Sequence, residues 1–218
     1  VICIDNNDLK SLIPKFKTNN YITYGFNKNS NYQIVNIKKN INYSVFDLKV
    51  QYPGKKNYKL KNIKINLLGN HNISNTTASI IVALNLGINI NKIKNALNKF
   101  LGIQRRFTKV FTLGKKEFFD DYAHHPTEIK AVINGVRDVD KLRKIICIFQ
   151  PHRYSRVKAL KKEFASSFKS SDIVVLCPVY AAGEKIRYNF NQDNFAKLIS
   201  KKYKIQVVNI SNKIELKK

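Results

Sequence analysis

A chain of 218 residues is long enough to bury one or two real cores, and none of its apolar runs approaches the ~18 residues of a membrane span. With 40 Lys and Arg against 14 Asp and Glu it carries a formal net charge of +26, and a polycation gains affinity for phosphate by counterion release. The 33 lysines against 7 arginines, with 27 Asn and 27 Ile, instead fit A/T-rich codon usage, and they are spread over every segment without an aromatic-interleaved stripe.

A solvated basic surface is therefore the working reading. A basic nucleic-acid-binding fragment is kept as the alternative from a different class, and no membrane partner is expected. There is no Met and no signal-peptide pattern, so the sequence reads as a piece of a longer protein. Cys3, Cys147 and Cys177 share no metal-ligand spacing and each lies in an apolar run. Reduced buried thiols in a cytoplasmic protein are expected, without a metal.

Residues 1–4 read as a short buried strand and 8–13 as a helical turn or two. Segments 21–26, 31–37, 43–50 and 58–68 alternate apolar and polar residues, the period of half-exposed strands. Turns such as Pro53-Gly54-Lys55-Lys56 separate them, which predicts an antiparallel meander. Gly69-Asn70-His71-Asn72-Ile73-Ser74-Asn75 then opens a helix that runs to about Leu86 and closes at Gly87. A second helix over about 91–101 puts Ile93, Ala96, Leu97, Phe100 and Leu101 on one face and stops at Gly102. Asn72 and Asn75 share one face of the first turn. Plain capping is the favoured reading, because Asn is a preferred N-cap; two amides holding a purine edge is the functional one.

At Ile103-Gln104-Arg105-Arg106-Phe107 the pattern changes to alternating strand and helix. Strands are predicted near 107–112, 116–120, 144–150, 172–177 and 204–210, and helices near 126–137, 157–169 and 192–202. The strands at 144–150 and 172–177 are nearly continuous apolar runs, as in strands covered on both faces. The prediction is a mostly parallel sheet with helices on both sides. Within it, Asp120-Asp121-Tyr122-Ala123-His124-His125 lies where a strand ends and a helix begins. Pro126 suits the first helical position, Glu128 the first turn, and Ile129, Val132, Ile133 and Val136 one helix face. In open α/β sheets ligands bind at such strand ends.

Three loops follow strand ends: 120–125, Gln150-Pro151-His152-Arg153-Tyr154-Ser155-Arg156 and Pro178-Val179-Tyr180-Ala181-Ala182-Gly183-Glu184. Three of the four histidines lie on them, and Arg105, Arg106, Arg153 and Arg156 stand in a chain that otherwise uses Lys. A planar guanidinium fork suits carboxylate or phosphate. Solvated loop side chains are the plain alternative. No Ser-His-Asp order or paired-carboxylate spacing supports hydrolysis, so the residues alone describe an anion-binding rim and no reaction.

Five of these motifs together carry a resemblance: the Gly69–Asn75 stretch, Arg105-Arg106-Phe107, Asp120-Asp121-Tyr122-Ala123-His124-His125-Pro126-Thr127-Glu128, the Gln150–Arg156 stretch and Tyr180-Ala181-Ala182-Gly183-Glu184. In this order they resemble the Mur ligases, specifically the alanine-adding branch. The resemblance implies an α/β chain, with a remnant of the central ATP-binding sheet domain over 1–103 and a truncated, Rossmann-like, mostly parallel C-terminal domain over 104–218. It implies a cytoplasmic, ATP-dependent, ADP-forming ligase of peptidoglycan precursor synthesis, acting on UDP-N-acetylmuramate and L-alanine through an acyl phosphate. His71, Asn72 and Asn75 would border the adenine, Arg106 would contact the nucleotide phosphates and Asp121 would hold the ribose hydroxyls. Tyr122, His124, His152, Arg153 and Arg156 would line the muramyl and alanine side. The related ligase that attaches recycled murein peptide to the same sugar nucleotide is the alternative; Tyr122 and Thr127-Glu128 favour the alanine enzyme.

Leu68 and Asn70 depart in a minor way from the family's usual Pro and basic residue. More consequential, no G-x-x-x-x-G-K-[ST] phosphate loop, UDP-binding domain or late Gly-rich segment occurs. The Mg ligands that go with ATP are expected mainly outside this stretch, no catalytic residue is assigned, and the chain by itself is expected to be inactive.

Overall fold

Ile2–Cys3 (β1) leads into a short helix at Asn7–Leu12 (α1), whose Asn6 cap accepts from the Leu9 N–H at 2.9 Å, and the chain returns as Thr23–Gly25 (β2). The structure, a computed structural model, describes residues 1–18, 20–54, 56–184 and 190–211; Lys55 of the expected turn lies outside them. Tyr32–Lys39 (β3), Ser44–Val50 (β4) and Tyr58–Ile65 (β5) complete a sheet of order β1-β2-β3-β4-β5. The pairs β3–β4 and β4–β5 are antiparallel as expected, but β1–β2 and β2–β3 are parallel. The expected meander therefore begins only at β3. Alternation along a strand reports which face is buried, and it is the same for either pairing direction.

Along β4 every second residue, Ser44, Phe46, Leu48 and Val50, is buried. That face packs with Ile63 and Ile65 of β5 against the helix Asn70–Asn85 (α2), through Ile73, Ile80 and Ile81, and against Ile93 of Ile90–Lys99 (α3). These residues form one core. Gly69 opens α2 in the left-handed region at φ +95°, and a Cβ there would meet the His71 ring at 2.8 Å. Only glycine lets the ring fold back over the helix start.

Contacts divide the chain into two compact units, Val1–Gln104 and a second from Arg105 onward. The second unit opens with an antiparallel hairpin, Thr108–Leu113 (β6) and Lys116–Asp120 (β7). Pro126–Val139 (α4) follows, then Ile146–Phe149 (β8). The expected helix over 157–169 is two helices, Tyr154–Ala159 (α5) and Lys161–Ser167 (α6), broken at Leu160. After them come Ile173–Leu176 (β9), Gln192–Tyr203 (α7) and Gln206–Asn209 (β10). All three late strands are parallel, in the order β10-β9-β8.

Their core gathers Phe149, Val174 and Leu176 from the sheet, Ile129 and Ile133 from α4, Phe164 from α6, and Phe195 and Ile199 from α7. The alternate residues of β8 are uncovered: Ile146 is 56% and Ile148 59% exposed. Among the described residues the sheet is thus helix-covered on one face, not two. Both crossovers step the same way across the sheet, and right-handed crossovers in one direction put their helices on one side. All three cysteines are free thiols, and burial pushes that of Cys147 up to about 12. Among the described residues no helix is long and apolar enough to cross a membrane.

Candidate functional site

The three expected loops do follow the carboxyl ends of strands in the second unit. The first is organised by the start of α4. Pro126 is its first residue and His125 its N-cap, with Nδ1 accepting from the Thr127 N–H at 3.3 Å. Glu128 Oε2 accepts from the N–H groups of His124 at 3.0 Å and His125 at 3.2 Å, completing a capping box. Arg106 Nη1 lies 3.8 Å from the same carboxylate. Burial alone would raise the Glu128 carboxyl, but those two N–H bonds and the charges of His124 and Arg106 hold it below the usual carboxylate range. Glu128 is therefore a hub, a role that its place in the first turn only half announced. Glu128→Ala is expected to lower the stability of the chain by about 1 kcal/mol, the usual cost of losing a cap. Urea unfolding with an unchanged midpoint would contradict this.

Asp121 ties the loop to the segment before β6. Its Oδ2 accepts from the Phe107 N–H and its Oδ1 from the Ala123 N–H, both at 2.7 Å. The Tyr122 N–H donates to the Arg105 carbonyl at 2.7 Å. Arg105 also stacks its guanidinium 4.9 Å from the Tyr122 ring centre and pairs with Asp120 at 3.4 Å. His124 Nδ1 lies 3.1 Å from the Tyr122 carbonyl, which can only accept, so Nδ1 is a donor there.

The second and third loops extend the β8–β9 pairing beyond the strands. The Tyr180 N–H donates to the Pro151 carbonyl at 2.8 Å and the Arg153 N–H to the Tyr180 carbonyl at 2.9 Å, an isolated parallel bridge at His152 and Tyr180. Arg153 adopts φ +70° at the start of α5. Across the loops, Ser155 donates its N–H to Glu184 at 3.1 Å and its hydroxyl to the same carboxylate. Arg156 Nη1 reaches the His124 carbonyl at 3.5 Å, linking α5 to the first loop.

Four rings run along this rim. Centroids are 5.0 Å apart for Tyr122 and His124, 6.1 Å for His124 and His152, and 5.4 Å for His152 and Tyr180. His152 is held below the ordinary histidine range by desolvation and by the positive charges of Arg156, Arg153 and His124, with Glu184 opposing. Its Nδ1 is buried with no hydrogen-bond partner among the described residues. Those charges favour the neutral imidazole. Tyr122, His124, His152 and Arg156 are thus brought together, with Arg153 beside Glu184 and Arg106 beside Glu128. Tyr180, Ser155 and Glu184 complete the rim; sequence spacing could not assign them contacts because they come from loops about thirty residues apart.

In the first unit, His71, Asn72 and Asn75 lie in the first turns of α2, with His71 and Asn72 half-buried and Asn75 exposed. The capping expectation for the asparagines is overturned. Gly69 is the N-cap, no side chain caps the helix, and the Asn72 amide donates to the Leu68 carbonyl at 2.7 Å. A residue at the third helical position sits past the cap, so its oxygen does not serve the free N–H groups of the first turn. Among the described residues no three His, Cys, Asp or Glu side chains converge as a metal would need, and none is assigned to Mg.

Family comparison follows the same division. The model for the Mur ligase middle domain matches residues 1–83, and that for the Mur ligase glutamate ligase domain matches 105–215. UDP-N-acetylmuramate–L-alanine ligase of Pelagibacter ubique is 52% identical over 217 residues, covering 100% of this chain and 47% of that protein. The chain thus spans about half the length of that relative. Among solved structures, the UDP-N-acetylmuramate-alanine ligase of Thermotoga maritima superposes with a TM-score of 0.68 at 27% identity, over 89% of this chain and 40% of that one. A murein peptide ligase of Psychrobacter arcticus gives 0.56 at 19%, over 88% and 38%, a likeness of fold alone. With both halves matched in order, the chain belongs to the Mur ligase family.

Proposed function

We propose that the whole protein is an ATP-dependent ligase that joins L-alanine to UDP-N-acetylmuramate, and that this chain supplies the end of its middle domain and most of its C-terminal domain. The observation that carries the reading is the rim of the second unit, where Arg156, His152, His124 and Tyr122 meet and the charge of Arg153 acts on His152. The relative at 52% identity, which bears that activity as its name, supports the same assignment. Alanine offers a small methyl group, so its recognition has to rest on the ammonium and the carboxylate. A bidentate guanidinium grips a carboxylate with fixed geometry. The muramyl carboxylate, activated by ATP as an acyl phosphate, would then be attacked by the amine, forming the C–N bond and releasing phosphate.

His152, held neutral by its surroundings, sits beside these cations without adding a third positive charge. In the second unit we assign Arg106 to nucleotide phosphate and Asp121 to the ribose. A carboxylate has about four acceptor sites, so two backbone N–H bonds leave Asp121 able to accept from hydroxyls. In the first unit we assign His71, Asn72 and Asn75 to adenine. Mg would accompany ATP, with ligands from elsewhere in the protein. We place the enzyme in the cytoplasm, where ATP and the sugar nucleotide are available.

The test is ADP release by the whole protein with ATP, UDP-N-acetylmuramate and a varied amine. Turnover that requires L-alanine is the expected result. A murein peptide serving as well as alanine would overturn it in favour of the recycling ligase. Salt-sensitive retention on DNA with no alanine-dependent turnover would favour the nucleic-acid reading.

A further inference from the structure

We propose that Glu184 is a positioning residue for the amino-acid side of the site: reaching across from the loop after β9, it caps α5 and so sets the Arg153–Arg156 pair. This inference rests on the functional reading above and adds to it a residue that the reading leaves without a role.

The helix α5 begins without a cap of its own. Arg153, at the N-cap position, makes no side-chain bond to the first turn and stands in the left-handed region at φ +70°. The first N–H groups of a helix have no intrahelical acceptor. Glu184 supplies one from outside, accepting from the Ser155 N–H at 3.1 Å and from the Ser155 hydroxyl. The turn that delivers it is built for the purpose. Ala182 at φ +49° and Gly183 at φ +83° bend the loop back, and the Glu184 N–H closes it on the Ala181 carbonyl at 3.0 Å.

Glu184 therefore grips α5 between Arg153 and Arg156, at the residue next to Arg156. The backbone bonds between Arg153 and Tyr180 and between Tyr180 and Pro151 fix the loops against each other but leave the helix start to the carboxylate. Those two Ser155 bonds and the nearby Arg153 charge hold the Glu184 carboxyl below its usual range, so it is ionised at neutral pH. An anion at a helix start is also favoured by the helix dipole. If the cap is lost, α5 can rotate, and the 3.5 Å link from Arg156 to the His124 carbonyl goes with it.

The test uses Glu184→Ala and Glu184→Gln in the whole protein. Glutamine keeps an acceptor for the Ser155 N–H and can donate to the Ser155 hydroxyl. Glu184→Ala should raise KM for alanine at least about tenfold and leave KM for ATP within about twofold, with Glu184→Gln recovering most of the loss. Hydrogen exchange at the Ser155 amide should quicken in the alanine variant. An unchanged KM for alanine in a folded Glu184→Ala protein overturns the proposal, as does an equal rise in KM for ATP, which marks general damage. Wild-type protein with no alanine-dependent turnover would overturn the functional reading instead. The exchange rate still reads the cap in that case, and an unaltered rate overturns the inference by itself.

Discussion

Arg156→Lys is expected to cut alanine-dependent turnover of the whole protein about ten- to hundredfold while leaving KM for ATP nearly unchanged. Lysine keeps the charge but loses the planar fork, and a lost charge-assisted bond costs roughly 1.5–3 kcal/mol. Among the described residues the Arg156 guanidinium makes a single hydrogen bond, the 3.5 Å one to the His124 carbonyl. Most of its five donors are therefore left for an anion. The charge of Arg153 acts on His152 together with that of Arg156, so two guanidinium groups serve this part of the rim. Steady-state kinetics with alanine varied at saturating ATP decides the matter. Wild-type values for the lysine variant would reduce Arg156 to a solvated surface charge.

A second large effect is expected at Asp121, and it should exceed that at the adjacent Asp120. Asp121→Ala strips the acceptor from two backbone N–H groups, Phe107 and Ala123, both bonded at 2.7 Å. Leaving partly buried donors unpaired costs about 1–3 kcal/mol each, so a loss of about 2 kcal/mol or more and a melting point lower by on the order of 10 °C follow. Among the described residues the Asp120 side chain makes just the 3.4 Å pair with Arg105, exposed on both sides, which is worth about 0–1 kcal/mol. The ribose assignment adds that Asp121→Ala raises KM for ATP more than Asp120→Ala does. Equal melting points for the two variants would refute the structural half of this expectation, and equal KM values the functional half.

Elements with a local cause were legible in the sequence. Pro126 and the spacing of Ile129 and Ile133 announced α4, and Gly87 and Gly102, both at positive φ, stand just past α2 and α3. The loops at strand ends were legible for the same reason, since apolar runs stop where the chain leaves the sheet. Features with a distant cause were not. No Pro or Gly marks the break at Leu160; Val157, Phe164 and Phe168 are all fully buried, and packing bends the chain there against its local pattern. Strand direction in β1–β3 leaves no trace in alternation. The Asp121 staple and the Glu184 cap join backbone N–H groups, which every residue but proline carries, so no residue type signals them. The Asn72 amide went the other way, where a local rule misled because Gly69 had already taken the cap position.

Seven non-glycine residues in the described chain hold positive φ, and four of them, Arg105, Phe107, Arg153 and Ala182, lie around the rim of the second unit. Each such conformation costs on the order of 1 kcal/mol, a cost that glycine would remove. At Arg153 heat resistance and activity are consequently set against each other. Directed evolution scored on thermal tolerance alone would drift to glycine or asparagine at 153 and report success while erasing the guanidinium. A library meant to harden this protein has to hold those four positions constant, or be counter-screened for turnover.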